Sequence, residues 1–150
     1  MVMIRLPPDF KEFLNLLNSR KVEYLLIGGY AVGYYGYPRP TGDMDVWIHM
    51  RRDNAERIVS ALKDFGFGAP IEYFLEENRV VRMGVPPVRL EIVTTIDGVS
   101  FAECYEERQH VVIDETEVDI INLHHLRMNK KASGRLKDLA DLENLPKALA

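Results

Sequence analysis

The stretch from Ile27 to Ile48 constrains the fold of this chain more than any other part of its sequence. It reads IGGYAVGYYGYPRPTGDMDVWI, so a Gly-Gly pair and a segment with two aspartates flank a loop rich in proline and glycine. The apolar run from Tyr24 to Ile27 predicts a buried strand that ends at the glycines. The alternation from Met44 to Ile48 predicts a second strand, with Asp43 and Asp45 on one face. A tight glycine turn and a strand carrying two carboxylates are therefore expected close together.

The rest of the chain predicts further strands and helices around this pair. Helical spacing, glycines and prolines set the expected boundaries, and Asp53 is a candidate N-cap. The predicted elements are a helix opened by Pro7-Pro8, strand 24–27, helix 30–35, strand 44–48, helix 54–65, hairpin strands 79–83 and 88–94, helix 101–108, hairpin strands 111–113 and 117–120, and helices 123–132 and 135–145. Residues 71–75 fit either a helix or a strand. This order predicts an α+β fold, a small mixed β-sheet with helices mainly on one face.

Length and composition limit the classes of protein to which the chain can belong. Its 150 residues are enough for one domain, with a sheet core over about 1–121 and C-terminal helices over about 122–150. The lone Cys104 excludes an internal disulfide and a cysteine-based zinc site. A net charge of −4 is unlike that of a basic nucleic-acid coat protein. Without a long apolar run or a signal peptide, we expect a cytoplasmic protein that does not contact membrane.

The two aspartates predict a metal site. Residues two apart on a strand project from the same face, with their Cα atoms about 6.5–7 Å apart. Carboxylates this close repel each other, which favours a bound cation. Mg²⁺ suits an all-oxygen site and is commonly shared between carboxylates and substrate phosphates. Asp43 and Asp45 are therefore candidate ligands for one or two Mg²⁺ ions of the kind that serve phosphoryl chemistry.

The glycine pair and the proline loop predict phosphate contacts. Gly28 and Gly29 lie where a strand ends and a helix begins, and helix N-termini favour anions. In the loop, Arg39 can form a bidentate contact with a phosphate or with one of the aspartates. Thr41 can bond a phosphate or the loop backbone. A phosphate site is thus expected next to the metal site.

Together these residues resemble the nucleotidyltransferases of the DNA polymerase beta superfamily. More narrowly, the run of Gly-Gly, about ten residues and R-x-T-x-D-x-D is similar to the small branch that includes the AbiEii toxins and some antibiotic nucleotidyltransferases. The matching residues are Gly28, Gly29, Arg39, Thr41, Asp43 and Asp45. Tyr30 stands where the superfamily usually has serine, and it is a candidate contact to the nucleotide. The resemblance implies a polymerase beta-like fold and catalysis by the two aspartates.

The resemblance also implies a third carboxylate and a basic C-terminal segment. Glu91 alternates with apolar neighbours on a predicted strand and is the candidate metal ligand and general base. The segment from Lys130 to Asp141 resembles the K-x-x-x-G-R-x-K-D-x-x-D segment of the AbiEii-like branch. There Lys130 and Arg135 are candidate triphosphate contacts, and Asp138 and Asp141 are candidate partners that orient them.

The leading hypothesis is a Mg²⁺-dependent nucleotidyltransferase that moves a nucleoside monophosphate from an NTP to an acceptor hydroxyl. One alternative is a non-catalytic nucleotide- or RNA-binding regulator or toxin–antitoxin partner, and another is a metal-dependent nuclease. A small molecule, a tRNA end or a protein hydroxyl would each suit the metal site as acceptor. Because only the last two helices remain to shape an acceptor pocket, we expect a small acceptor, or a homodimer or partner chain that completes the cleft.

Overall fold

The computed structural model describes residues 4–147 of the chain, which form one sheet surrounded by helices. Its elements are α1 (Pro8–Ser19), β1 (Tyr24–Ile27), α2 (Gly28–Tyr34), β2 (Asp43–Ile48), α3 (Arg52–Asp64), a 3-10 helix (Ile71–Phe74), β3 (Val80–Met83), β4 (Arg89–Val93), α4 (Phe101–Glu106), β5 (Gln109–Ile113), β6 (Thr116–Ile120), α5 (Leu123–Ser133) and α6 (Leu136–Asn144). The predicted α+β fold with a small mixed sheet is confirmed.

The sheet order places β2 beside two other strands. The order is β3-β4-β2-β1-β6-β5, with β2 antiparallel to β1 and parallel to β4. Both predicted hairpins form, as β3-β4 and β5-β6. In this register Asp45 lies opposite Ile27 on one side and opposite Glu91 on the other. The strand order therefore brings together segments that lie far apart in the sequence.

Apolar residues from β1 and α1 form much of the core. All four residues of β1 are buried, as its continuous apolar run predicts for a central strand. The helical repeat of α1 buries Phe10, Phe13, Leu14 and Leu17, and α1 packs against α3 and β6. Cys104 is buried as a small apolar side chain, as expected. The interior is thus fixed largely by periodicity that is visible in the sequence.

Several predicted boundaries differ from the observed ones. Helix α2 begins at Gly28 rather than at residue 30, so the glycine pair is part of the helix. Asp53 is not the N-cap of α3, because the helix begins at Arg52 and Asp53 lies in its first turn. The ambiguous segment 71–75 contains the 3-10 helix. Residues 148–150 of the predicted C-terminal region lie outside the described residues. None of the described helices combines the length and apolarity needed to cross a bilayer.

The side-chain amide of Asn54 links the segment before β1 to the segment after β2. Asn54 is buried, and its Oδ1 accepts a hydrogen bond of 2.7 Å from the backbone N–H of Glu23. Its Nδ2 donates to the backbone carbonyls of Glu23, at 3.1 Å, and of His49, at 2.9 Å. The start of α3 is thereby fixed to the beginning of β1 and to the residue that follows β2.

Replacing Asn54 with alanine is expected to lower the free energy of unfolding by about 1–3 kcal/mol, because the backbone N–H of Glu23 loses its acceptor. The carbonyls of Glu23 and His49 each keep a second donor, the N–H groups of His49 and Arg51. Chemical denaturation monitored by circular dichroism measures this loss. Asn144→Ala is the matched control, since that exposed amide donates only to the nearby carbonyl of Ala140. Equal stabilities of the two variants would contradict a structural role for Asn54.

Candidate functional site

Three carboxylates meet on one face of the sheet. Asp43 and Asp45 alternate with buried residues along β2, and Glu91 occupies the position of the parallel strand β4 that is paired with Asp45. One oxygen atom from each of the three lies within 4.8 Å of the others, close enough to share a metal ion. The predicted convergence of Glu91 with the aspartate pair therefore follows from an in-register parallel pairing.

Two arginines neutralise part of this acidic cluster. The Arg89 guanidinium donates to both oxygens of Asp43, from Nε at 2.6 Å and from Nη2 at 3.0 Å. Arg82 on β3 donates from Nε to Glu91 at 2.8 Å. Neither arginine was among the predicted site residues. The alternation of β4 carried a signal for Arg89, because it places this residue on the same face as Glu91.

Within residues 4–147, Asp45 forms no ion pair of this kind. One of its carboxylate oxygens is buried without a hydrogen-bond partner among the described residues. Burial, followed by the hydrogen bond and charge of Glu91 and the charge of Asp43, raises the pKa of Asp45 to about 7. Asp45 is therefore the carboxylate of the cluster whose negative charge is least compensated. Hard carboxylate oxygens in such a cluster fit Mg²⁺.

The glycine pair lets the turn between β1 and α2 pack directly on the acidic strand. Gly28 has a φ of +68°, and a Cβ at this position would collide with the Asp45 carboxylate. A Cβ on Gly29 would lie 2.8 Å from Oγ1 of Thr41. The Thr41 hydroxyl in turn donates to the backbone carbonyl of Asp43 at 3.0 Å. These contacts explain both glycines by packing, and their role toward phosphate stays a prediction.

Arg39 is engaged by an aspartate of α6. Its guanidinium donates to both oxygens of Asp141, from Nε at 2.7 Å and from Nη2 at 2.8 Å. The sequence predicted a bidentate contact from Arg39 either to a phosphate or to one of the β2 aspartates. The contact is instead made to a carboxylate outside β2. It ties the proline loop before β2 to the last helix.

Lys130 lies at the centre of the same network. Its side chain is 5% exposed, and its Nζ lies 3.1 Å from Asp138 and 3.1 Å from Asp141. Arg135 adds a hydrogen bond from Nε to Asp138 at 2.6 Å. Burial alone would raise the pKa of both carboxyls. Hydrogen bonds and charges from Arg135 and Lys130 hold the pKa of Asp138 below its usual range. Those from Arg39 and Lys130 hold the pKa of Asp141 below its usual range. Asp138 and Asp141 orient the basic residues, as the sequence suggested.

These residues surround a polar cleft of about 460 Å³. The cleft is lined by the three carboxylates, Gly28, Gly29, Arg39, Thr41, Lys130 and Arg135. Lys137 also lines it, and its charge acts to lower the pKa of Asp45. Like Arg82, Lys137 lines the cleft but was not among the predicted site residues, although it lies within the basic segment.

Tyr30 does not line this cleft. It faces a smaller neighbouring pocket together with Pro38 and Gly33, and its ring packs edge-on against Phe10 with centroids 5.7 Å apart. Burial raises the pKa of its hydroxyl. Of the ten predicted site residues, Tyr30 is thus the one that the fold places outside the cleft.

Replacing Asp45 with asparagine is expected to stabilise the metal-free protein, and more so at pH 8 than at pH 5. The folded protein holds the Asp45 proton up to about pH 7, whereas the unfolded chain releases it near pH 4. Ionising this carboxyl therefore lowers the free energy of unfolding. This loss grows as the pH rises from about 4 to about 7 and is constant above that range. Thermal unfolding measures the difference, at about 2–4 °C for each kcal/mol.

Asp9→Asn, in the exposed first turn of α1, is the control for this experiment. Added Mg²⁺ is expected to raise the melting temperature of the wild-type protein at pH 8 and to have less effect on the asparagine variant. A shift in melting temperature for Asp45→Asn that is the same at both pH values would contradict the proposed ionisation.

Comparison with known proteins places the fold. No protein-family model and no curated protein matches the chain. Among solved structures, a putative nucleotidyltransferase from Thermotoga maritima superposes with a TM-score of 0.61 at 14% identity, over 89% of this chain and 88% of the other. An antigenic nucleotidyltransferase-like protein from Paracoccidioides brasiliensis superposes with a TM-score of 0.54 at 20% identity, over 89% of this chain and 71% of the other. The chain therefore has a nucleotidyltransferase-like fold.

Proposed function

We propose that the protein is a Mg²⁺-dependent nucleotidyltransferase of the AbiEii-like branch, which transfers a nucleoside monophosphate from an NTP to an acceptor hydroxyl. The observation that carries this proposal is the convergence of Asp43, Asp45 and Glu91 within 4.8 Å on a nucleotidyltransferase-like fold. The cleft around them holds cations that suit a triphosphate. Carboxylates and cations in one polar cleft are what this chemistry requires.

In this proposal the three carboxylates hold one or two Mg²⁺ ions. When bound, the metal supplies positive charge that neutralises the carboxylates and the substrate phosphates. The acceptor oxygen forms a bond to the α-phosphorus, and the bond from that phosphorus to the bridging oxygen breaks. Pyrophosphate leaves with the bonding electrons, and Glu91 takes the proton of the acceptor hydroxyl.

The residues around the carboxylates position the triphosphate. We assign this role to Gly28, Gly29, Arg39, Thr41 and Arg135, all of which line the cleft. Lys130 lines it too, but its ammonium group already contacts two buried aspartates. We therefore assign the main lysine contact with the phosphates to Lys137. Lys130 then acts mainly by holding α5 and α6 in place, and Tyr30 acts from the neighbouring pocket.

The two arginine pairs favour a second candidate function. Arg89 and Arg82 give two of the three carboxylates a protein cation as partner. A domain whose acidic cluster is neutralised in this way can bind nucleotide without turning it over. The second candidate is therefore a regulatory or toxin–antitoxin partner protein that binds an NTP but transfers nothing.

Asp43→Asn and Glu91→Gln are expected to weaken Mg²⁺ binding at least tenfold and to reduce transfer at least a hundredfold, because each removes one anionic metal ligand. Isothermal calorimetry measures the metal affinity. Labelled NTPs incubated with a cell lysate reveal which molecules become labelled. Glu12→Gln, an exposed change on α1, is the control.

Transfer at the wild-type rate in both carboxylate variants would overturn the enzymatic proposal. Mg²⁺-dependent NTP binding by the wild-type protein, with nothing in the lysate labelled, would instead support the binding protein. Because metal affinity and transfer are measured separately, the two candidates give different results.

Lys137→Ala is expected to raise the KM for NTP about tenfold or more, because an interaction between a charged group and phosphate contributes about 1.5–3 kcal/mol. Steady-state kinetics at saturating Mg²⁺ and calorimetric titration with NTP measure this loss. Lys131→Ala removes a neighbouring exposed charge and is the matched control. Equal KM values for the two variants would show that Lys137 does not contact the triphosphate.

A further inference from the structure

A second cavity of about 370 Å³ lies next to the cleft. The two share Thr95 and Ile96 in their walls, so a ligand in one is adjacent to a ligand in the other. Trp47 and His49 contribute to the second cavity. Because side chains of a strand alternate, Trp47 projects from the same face of β2 as Asp43 and Asp45. The cavity thus continues the line of the metal site along β2.

Two residues that line this cavity, Phe101 and His49, belong to a series of four stacked planar groups. The Arg108 guanidinium lies 3.8 Å from the Tyr105 centroid, Tyr105 stacks on Phe101 at 5.3 Å, and Phe101 stacks on His49 at 4.8 Å. Phe101 and Tyr105 each have two stacked neighbours in this series. The stack ends at the imidazole of His49, whose second face has no stacked ring or guanidinium among the described residues.

The imidazole is held in a fixed orientation. Its Nδ1 lies 2.7 Å from Oε1 of Glu23, and the backbone carbonyl of His49 accepts from Asn54. Its Nε2 has no hydrogen-bond partner within residues 4–147, and the side chain is 26% exposed. A fixed ring with one free face and one free nitrogen can both stack on a planar ligand and form a hydrogen bond with it.

We propose that this cavity is the acceptor site, and that it takes the planar heterocyclic ring of a small acceptor stacked on His49. The inference rests on the proposed nucleotidyl transfer and names its second substrate. Its volume lies in the range of about 300–1,000 Å³ that is usual for small-molecule sites. His49 is four residues beyond Asp45, about 13 Å along an extended strand, so the acceptor hydroxyl reaches from the ring towards the carboxylates.

The charges around the cavity favour a ring without phosphate groups. Glu23 contacts His49 directly. This carboxylate would repel a phosphate group placed on the imidazole, whereas a neutral or cationic heterocycle meets no such repulsion. We therefore assign a small heterocyclic alcohol to this site rather than a nucleic-acid strand.

The sole tryptophan of the chain allows a direct test, because Trp47 lines the cavity. Adenosine, a heterocyclic alcohol without phosphate, is titrated into the Mg²⁺-free and NTP-free protein while tryptophan fluorescence is recorded. We expect a saturable change in the wild-type protein, affinity at least tenfold weaker in His49→Ala, and affinity largely restored in His49→Phe. His124→Ala, an exposed change on α5, is expected to bind as the wild type does.

The inference is overturned if adenosine gives no saturable change, or if His49→Ala binds it as tightly as the wild-type protein. It is also overturned if the molecules labelled in the lysate experiment are nucleic acids or proteins only. The experiments distinguish failure of this inference from failure of the proposed function. Saturable binding that depends on His49, together with transfer that survives Asp43→Asn and Glu91→Gln, would sink the enzymatic proposal alone.

Discussion

The parallel, in-register pairing of β2 with β4 is the constraint on which the rest of the site depends. It places Asp45 beside Glu91 and Asp43 beside Arg89. Alternation along each strand then keeps all three carboxylates on one face, where their repulsion destabilises the metal-free protein. A slip of one residue in this register would turn Glu91 to the opposite face and remove the site. The position of the three carboxylates therefore depends on strand pairing rather than on the conformation of a loop.

The surroundings of the three carboxylates compensate for only part of their charge. Arg89 and Arg82 neutralise Asp43 and Glu91, while half-buried Asp45 forms no ion pair among the described residues and has a raised pKa. Gly28 allows the backbone to press against that carboxylate. An acidic cluster that is fully paired within the protein has little negative charge left to attract a metal ion. This cluster keeps some of its negative charge, so it can attract one. The guanidinium of Arg89 and a metal ion would compete for Asp43, which couples metal binding to movement of β4 side chains.

Periodicity in the sequence predicted most of the sheet, because alternation and apolar runs report directly on burial. That Glu91 would join the aspartates was expected from the family resemblance, and periodicity supplied only the face of its strand. It could not predict the partners of the charged side chains, since these depend on tertiary distances. Arg39 pairs with Asp141, which lies 102 residues away. Lys130 has the sequence context of a surface lysine, yet helix packing buries it. Tyr30 lies outside the cleft because its ring packs against Phe10 of α1, a tertiary contact that the local pattern does not show.

The same face of β2 supplies both halves of the proposed reaction. Its first part carries Asp43 and Asp45, which face the cleft, and its end carries Trp47 and leads to His49, which face the second cavity. One rigid strand thus fixes the distance between the metal site and the stacking surface, with no hinge between them. A strand holds such a distance more closely than a loop does. In the proposed reaction, one strand of a single sheet can in this way position two substrates.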